Sequence, residues 1–309
     1  MKRIISSLIA VPFILWSIAG PVGSRELSTI LIIVCAVWAL HELNSLGKKA
    51  GRDIVKTPLY VGAALLIIAP YLRSLSIPDQ GFWNGASMGV YTEWGAGFSF
   101  ATGYHMDFFA LLLIGIIAVA RQIQKGISGA FSNLAFTSLV VLYIIGPMYS
   151  LACLRATPVG PMIILWVFLT TIFNDAGAYY VGSSLGKHKM SPVLSPKKTW
   201  EGFIGGIVVA NVIVLIVGIV LLAVGRIFAD VSLFYWGPPS WPTVLQVIGA
   251  TIILCVVGVI GDLAESLIKR DIGVKDSGTS FPGHGGILDA IDALLFTIPT
   301  AHFLSSWVF

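Results

Sequence analysis

The residues of this chain best suited to chemistry gather in its carboxyl-terminal half. Asp262, Glu265, Ser266 and Lys269 stand at i, i+3, i+4 and i+7, so a helix places all four on one face. Asp262 follows the run Cys255-Val-Val-Gly-Val-Ile-Gly261 with no polar spacer, which sets a carboxylate deep in apolar sequence. Glu265 and Lys269 have the spacing of an internal ion pair that lets a helix end leave a bilayer. Further on, Phe281-Pro-Gly-His-Gly-Gly-Ile-Leu-Asp-Ala-Ile-Asp292 has the form of a flexible loop opening a helix. Gly283, Gly285 and Gly286 permit close backbone approach to a ligand, and the N–H groups of the helix start favour an anion. His284 is embedded in this loop, and Asp289 and Asp292 point from one face of the helix that follows. A carboxylate pair on two neighbouring helices, Asp262 and Asp289, can bridge a hard divalent cation such as Mg²⁺ and leave coordination positions for phosphates.

A second cluster runs from Asn174-Asp175 through Gly182 to Lys189 and on to Ser195-Pro-Lys-Lys-Thr-Trp-Glu-Gly202. Lys187, Lys189, Lys197 and Lys198 make a basic loop that would anchor topology or bind anionic headgroups. Two hydroxyls and two ammonium groups around the turn at Pro196 can also converge on a polyphosphate. Of the fifteen acidic residues, eight (Asp175, Glu201, Asp262, Glu265, Asp271, Asp276, Asp289 and Asp292) fall in these regions, beside seven basic ones. Carboxylates suited to a metal thus lie next to cations suited to phosphate.

What must position these groups is a set of membrane helices. Of 309 residues 56% are apolar and 11% charged, and the mean hydropathy is +0.89. A soluble domain carries roughly 25% charged residues, which excludes a soluble enzyme or a disordered chain. Apolar runs predict an all-α polytopic membrane protein of about nine transmembrane helices, at 4–20, 27–46, 58–75, 107–124, 133–151, 160–181, 203–225, 244–268 and 287–307. The first run reads as an uncleaved helix rather than a signal peptide. Alternating the loops between two sides collects fifteen of the nineteen basic residues on one side and leaves Arg25, Arg73, Arg155 and Arg226 on the other. The amino terminus is therefore expected in the cytoplasm and the carboxyl terminus outside. Residues 1–151 are expected to form an amino-terminal set of helices, with an aromatic-rich outer loop near 76–106 suited to headgroup depth. Residues 152–309 are expected to form a second set of helices that carries the candidate chemistry, the catalytic region, with cytoplasmic loops 182–202 and 269–286. Cys35, Cys153 and Cys255 lie singly in apolar runs and indicate neither a disulfide framework nor a zinc site.

The stretch from Ser266 through Lys269-Arg270-Asp271, Lys275-Asp276-Ser277-Gly278 and Phe281-Pro-Gly-His-Gly-Gly to Asp292 closely resembles the signature of the CDP-diacylglycerol synthases, or phosphatidate cytidylyltransferases. Asn174-Asp175, Gly186-Lys-His-Lys189 and Ser195 to Gly202 are similar to that family's upstream blocks, in the same order. The match covers the carboxyl-terminal half, while the first half matches only as hydrophobic spans. The resemblance implies an integral enzyme of the inner, cytoplasmic membrane, with its active site facing the cytoplasm. Such an enzyme condenses CTP with phosphatidic acid, giving CDP-diacylglycerol and pyrophosphate with Mg²⁺. It implies Asp262 and Asp289 as metal ligands, Asp292 as a further ligand or supporting partner, and Lys269 and His284 as catalytic groups. Substrate contacts are implied for Asn174, Asp175, Lys187, Ser195, Lys197, Lys198, Thr199, Glu201, Glu265, Ser266, Arg270, Lys275, Asp276, Gly283, Gly285 and Gly286. A second, monovalent cation and a homodimer stay open, and no nucleic-acid partner is expected.

The chain departs from the family pattern at two points, with Ala290 where Leu-Asp-Arg-x-Asp is usual and Ser183 where Gly-Arg is usual; each removes a guanidinium. Another lipid-phosphate transferase or a related lipid kinase therefore remains an alternative. So does a secondary transporter, although the polar residues gather at one membrane face and no related halves are visible.

Overall fold

The structure is a computed structural model that describes residues 24–52, 56–75, 104–157, 160–227, 241–278 and 285–308. The expected first span at 4–20, most of the expected outer loop, Gly283 and His284 lie outside the described residues. The other expected spans are all helical. In chain order they are α1 (Ser24–Lys49), α2 (Lys56–Leu75), α3 (Tyr104–Lys125), α4 (Ala130–Val140), α5 (Gly146–Ala156), α6 (Gly160–Leu185), α7 (Trp200–Ile227), α8 (Trp241–Asp271) and α9 (Ile287–Val308). Among the described residues six stretches are long and apolar enough to cross a membrane, namely Glu26–Lys49, Ala130–Ala156, Gly160–Leu185, Trp200–Leu221, Pro242–Asp271 and Ile287–Ser305. Leu59–Leu72 is a shorter apolar helix. The chain is an all-α membrane protein with one small addition. Between α6 and α7, where a loop is expected, β1 (Lys189–Ser191) and β2 (Ser195–Thr199) form an antiparallel hairpin pairing Lys189 with Thr199 and Ser191 with Ser195.

The chain divides into two units. The first comprises Met1–Pro158 and Asp276–Ala290. Within it α1 packs on α2 and α5, and α3 packs on α2 and α4. Leu40, Leu43 and Leu46 of α1, Leu59 and Ile67 of α2, and Leu154 of α5 are fully buried. Lipid is as apolar as leucine, so close packing rather than escape from water must hold such helices together. Gly47 lies under the ring of Phe136, and a Cβ on Gly62 would stand 2.6 Å from Ile114 Cδ1. α4 and α5 are one rod interrupted by a π turn at Val141–Ile145, where the Gly146 N–H reaches back to the Val141 carbonyl. Pro147 supplies the cause, because its ring and missing N–H cannot continue the ordinary ladder and the widened turn makes room for it.

The second unit comprises Val159–Lys275 and Ile291–Phe309. Its tightest pair is α6 against α7, joined along glycines on both helices. A Cβ on Gly177 would stand 2.8 Å from Val209 Cβ, and one on Gly202 only 2.7 Å from the Ala178 carbonyl oxygen. A Cβ on Gly206 would stand 2.6 Å from the Asn174 carbonyl oxygen. Gly202 and Gly206 are four apart, the small-residue spacing that lets two membrane helices touch backbone to backbone. The outer face of α7, with Ile204, Val208, Val212, Ile216 and Ile219, is exposed and apolar, as a lipid-facing surface must be. Trp166 of α6 donates its indole N–H to Thr251 Oγ1 of α8 at 3.0 Å, both side chains being buried. Gly258 and Gly261 of α8 give α9 the same close approach, since a Cβ on Gly261 would lie 2.7 Å from the Asp292 carbonyl oxygen.

Gly206→Leu is expected to separate α6 from α7 and cost about 1–3 kcal/mol, the usual cost of overpacking. Gly218→Ala in the same helix, where a Cβ meets nothing within 4 Å, should be neutral or slightly stabilising. Thermal unfolding of both variants in detergent checks the contrast, and equal losses would show that the glycines are not what joins the helices.

Candidate active site

In the second unit the hairpin and the inner end of α8 meet through charge. Lys198 Nζ lies 2.5 Å from Asp262 Oδ2, both side chains being partly exposed. One turn on, Lys269 Nζ lies 2.6 Å from Glu265 Oε2, with Glu265 almost fully buried. The expected i, i+4 ion pair is therefore present. Ser266 Oγ lies 3.5 Å from Asp262 Oδ1, at the outer limit of a hydrogen bond. The carboxylate of Asp175 on α6 is close enough to interact electrostatically with Lys198 and Asp262. Asp292 on α9 does the same with Asp262, Glu265 and Asp175. The close packing at Gly261 explains the placement of Asp292. The second unit thus collects Asp175, Asp262, Glu265 and Asp292 from three helices and answers them with Lys198 and Lys269.

The hairpin holds several expected ligands in structural roles. Thr199 Oγ1 accepts from the Gly202 N–H at 3.2 Å, which is an N-cap on α7. Glu201, in the first turn of α7, accepts the N–H groups of Lys187 at 3.1 Å and His188 at 3.2 Å and contacts His188 Nδ1 at 2.6 Å. Ser195 is half-buried in β2, while Lys187 and Lys197 are exposed. Asn174 is buried beside Gly206, and its Oδ1 has no hydrogen-bond partner among the described residues. Arg270 donates to the Val274 carbonyl at 3.2 Å, and Lys275 and Asp276 are exposed.

In the first unit a different arrangement surrounds Asp289. Its Oδ2 accepts the Ser277 N–H at 2.9 Å, the Ser277 hydroxyl at 2.8 Å and the Gly286 N–H at 2.8 Å. Glu42 of α1 accepts the Leu288 N–H at 3.1 Å, and its Oε2 lies 3.1 Å from the Ser277 hydroxyl, whose one proton it shares by turns with Asp289. The start of α9 is the place where the sequence suggests N–H groups for a bound anion. Two of those groups, on Gly286 and Leu288, already serve the protein's own carboxylates, which complement the positive end of the helix dipole. Gly286 is also not open ground for a ligand, because a Cβ there would run into Ser277 Oγ and Glu42 Oε2. Gly285, with φ of +89°, is held against Asp289 and Asp276 instead.

Sequence reasoning missed Glu42. The available signal was a charged residue in the apolar run 27–46, the kind of placement that marks function by default in a membrane helix.

The donor set of the second unit is oxygen only, which suits a hard divalent cation better than zinc or copper. Among the described residues no group of three or more His, Cys, Asp or Glu side chains closes around one point that would hold a metal.

An all-α membrane protein with paired carboxylates and lysines at the ends of its apolar helices is the class these observations define. The chain belongs to the Cytidylyltransferase family, whose sequence profile matches residues 1–308. It is 40% identical over 196 residues to the phosphatidate cytidylyltransferase of Staphylococcus haemolyticus (strain JCSC1435), a match covering 63% of this chain and 68% of that protein. It is 38% identical to the protein of the same name from Staphylococcus saprophyticus subsp. saprophyticus, with the same coverage. The identity to that of Staphylococcus aureus (strain COL) is 37%, again over 63% of this chain and 68% of the relative.

Thr199→Ala removes the cap of α7 and should cost about 1 kcal/mol, whereas Thr199→Ser keeps an acceptor and should recover most of it. Unfolding temperatures in detergent test this, and an unchanged midpoint in Thr199→Ala would show that the hydroxyl serves some other end.

Proposed function

We propose that this chain is a phosphatidate cytidylyltransferase, condensing CTP with phosphatidic acid to give CDP-diacylglycerol and pyrophosphate. The observation that carries the proposal is the contact of Lys198 with Asp262 inside a family member whose named relatives have that activity. It supports the reading because a lysine suited to phosphate and a carboxylate suited to a hard cation stand side by side. In the reaction a phosphate oxygen of the lipid attacks the α-phosphorus of CTP, a new P–O bond forms, and the α–β bridge breaks to release pyrophosphate. The lipid brings the nucleophile, so the protein has no covalent step to supply. Its work is to hold two anions in line and to offset their charge.

Asp262 and Asp292, with Asp175 beside them, would hold Mg²⁺, which when bound would neutralise charge on the triphosphate and the leaving group. Lys198 would exchange its carboxylate partner for phosphate oxygens as the nucleotide arrives. Lys197 and Arg270 offer further positive charge, and Lys269 keeps Glu265 neutralised. The sequence motif puts Asp289 forward beside Asp262 as a metal ligand, with Asp292 as the further one, and His284 as a phosphate donor.

In this proposal the protein crosses the inner membrane nine times, with the amino terminus and the site in the cytoplasm and the carboxyl terminus outside. The support is the fifteen-to-four distribution of basic residues and the substrates themselves, since CTP is soluble and the acceptor headgroup lies at the membrane surface.

Purified protein given labelled CTP, phosphatidic acid and Mg²⁺ should release pyrophosphate and form a labelled lipid only when all three are present. Asp262→Asn should lower turnover by about 10²-fold or more, since loss of a charged ligand costs several kcal/mol and each 1.36 kcal/mol is tenfold. Near-normal turnover in that variant would remove Asp262 from the reaction, and turnover with CTP on a different phosphorylated acceptor only would replace the substrate.

Topology is tested separately, in protein lacking Cys35, Cys153 and Cys255. A cysteine replacing Ser87 should react with an impermeant reagent from outside, and one replacing the exposed Val193 of the hairpin should not. The opposite pattern would reverse the orientation.

A further inference from the structure

Glu42 lies on α1, far in sequence from every motif residue, and is 4% exposed among the fully buried Leu40, Leu43 and Leu46. A carboxylate in such surroundings costs free energy unless donors are delivered to it. Two donors come from the signature segment, Ser277 Oγ at 3.1 Å and the Leu288 N–H at 3.1 Å, both to Oε2. Two glycines of the segment press against the same carboxylate. A Cβ on Gly278 would lie 2.7 Å from Oε1, and one on Gly286 would collide with Oε2.

Ser277 is the joint between this contact and Asp289. Its N–H and hydroxyl both lie within hydrogen-bond distance of Asp289 Oδ2, and its one hydroxyl proton serves one carboxylate at a time. Whatever fixes Ser277 and the start of α9 therefore fixes the Asp289 carboxylate.

We infer that Glu42 is a positioning residue of the reaction, holding Ser277 and Leu288 so that Asp289 stands where the chemistry needs it. The inference rests on the cytidylyltransferase proposal for what is being positioned, whereas the contacts stand without it. A brace that only supported the fold would lower stability and leave the turnover of folded protein unchanged.

The test uses the full chain in lipid nanodiscs with CTP, phosphatidic acid and Mg²⁺. Glu42→Ala should lower kcat by about tenfold to 10²-fold, the usual range for a small misplacement of a reacting group, with KM for CTP within about threefold. Glu42→Gln keeps an oxygen that accepts from Ser277 and Leu288, and it should recover kcat to within about threefold to fivefold of wild type. Hydrogen exchange at the Leu288 amide should quicken in Glu42→Ala and not in Glu42→Gln.

Unchanged kcat in Glu42→Ala overturns the inference, as does a Glu42→Gln protein no better than Glu42→Ala. If Glu42→Ala does not fold, Ser277→Ala decides, because it breaks the same joint and wild-type kcat in it is equally fatal. If wild-type protein turns over neither phosphatidic acid nor another acceptor, the enzyme proposal fails. The substrate-free exchange at Leu288 then judges the contact alone, and unchanged exchange in Glu42→Ala rejects it.

Discussion

A carboxylate set in an apolar helix keeps its charge only where something positive or hydrogen-bearing is brought to it, and each unit meets that demand differently. The second unit uses cations for two of its acids, with Lys198 brought to Asp262 and Lys269 to Glu265, while Asp292 accepts the Ala293 N–H. The first uses backbone N–H groups and one hydroxyl, from Ser277, Gly286 and Leu288, turned on Asp289 and Glu42. The two solutions differ in what they allow next. A half-exposed lysine can swing away and give its carboxylate to a metal and itself to a phosphate. A backbone N–H in a helix start cannot move without the helix. Asp262 of the second unit is in this sense exchangeable, whereas Glu42 and Asp289 of the first are held by the helix start.

Glycine makes both arrangements possible. In the second unit it removes side chains between α6 and α7 and between α8 and α9, so acids on separate helices come within electrostatic reach. In the first unit the space that a side chain would fill at Gly278 and Gly286 is taken by the Glu42 carboxylate. A glycine-rich loop near a helix start is commonly a place for phosphate. Here the anion that presses on it belongs to the protein.

The parts of this picture that depend on local sequence were legible. Long apolar runs gave the helices, because length and apolarity alone decide whether a segment can cross hydrocarbon. The Glu265–Lys269 pair followed from helical spacing. Long-range pairing was not legible. The hairpin reads as a loop, since Pro192 and Pro196 look like turn residues and a two-strand ladder between short polar segments leaves no periodic trace. Glu42 sits in a run that scores as a span, and its partners are 235 and 246 residues further along the chain. The capping of α9 by Asp289 could be suspected from its place in the first turn, but the same residue fits a metal ligand equally well on spacing alone.

The hairpin shows how a small non-helical element can divide labour among adjacent residues. Along β2 successive side chains point to opposite faces, so Lys197 is exposed while Lys198, one residue on, reaches Asp262. The strand then ends at Thr199, whose hydroxyl caps α7 and so fixes the hairpin to the helix that packs on Asp175's own helix. Glu201 ties the other end of the hairpin through Lys187 and His188. The two lysines are therefore not interchangeable. One is set on an inner carboxylate by the register of the strand and the cap behind it. The other stands outward and exposed, so the alternation of a five-residue strand gives two adjacent lysines different surroundings.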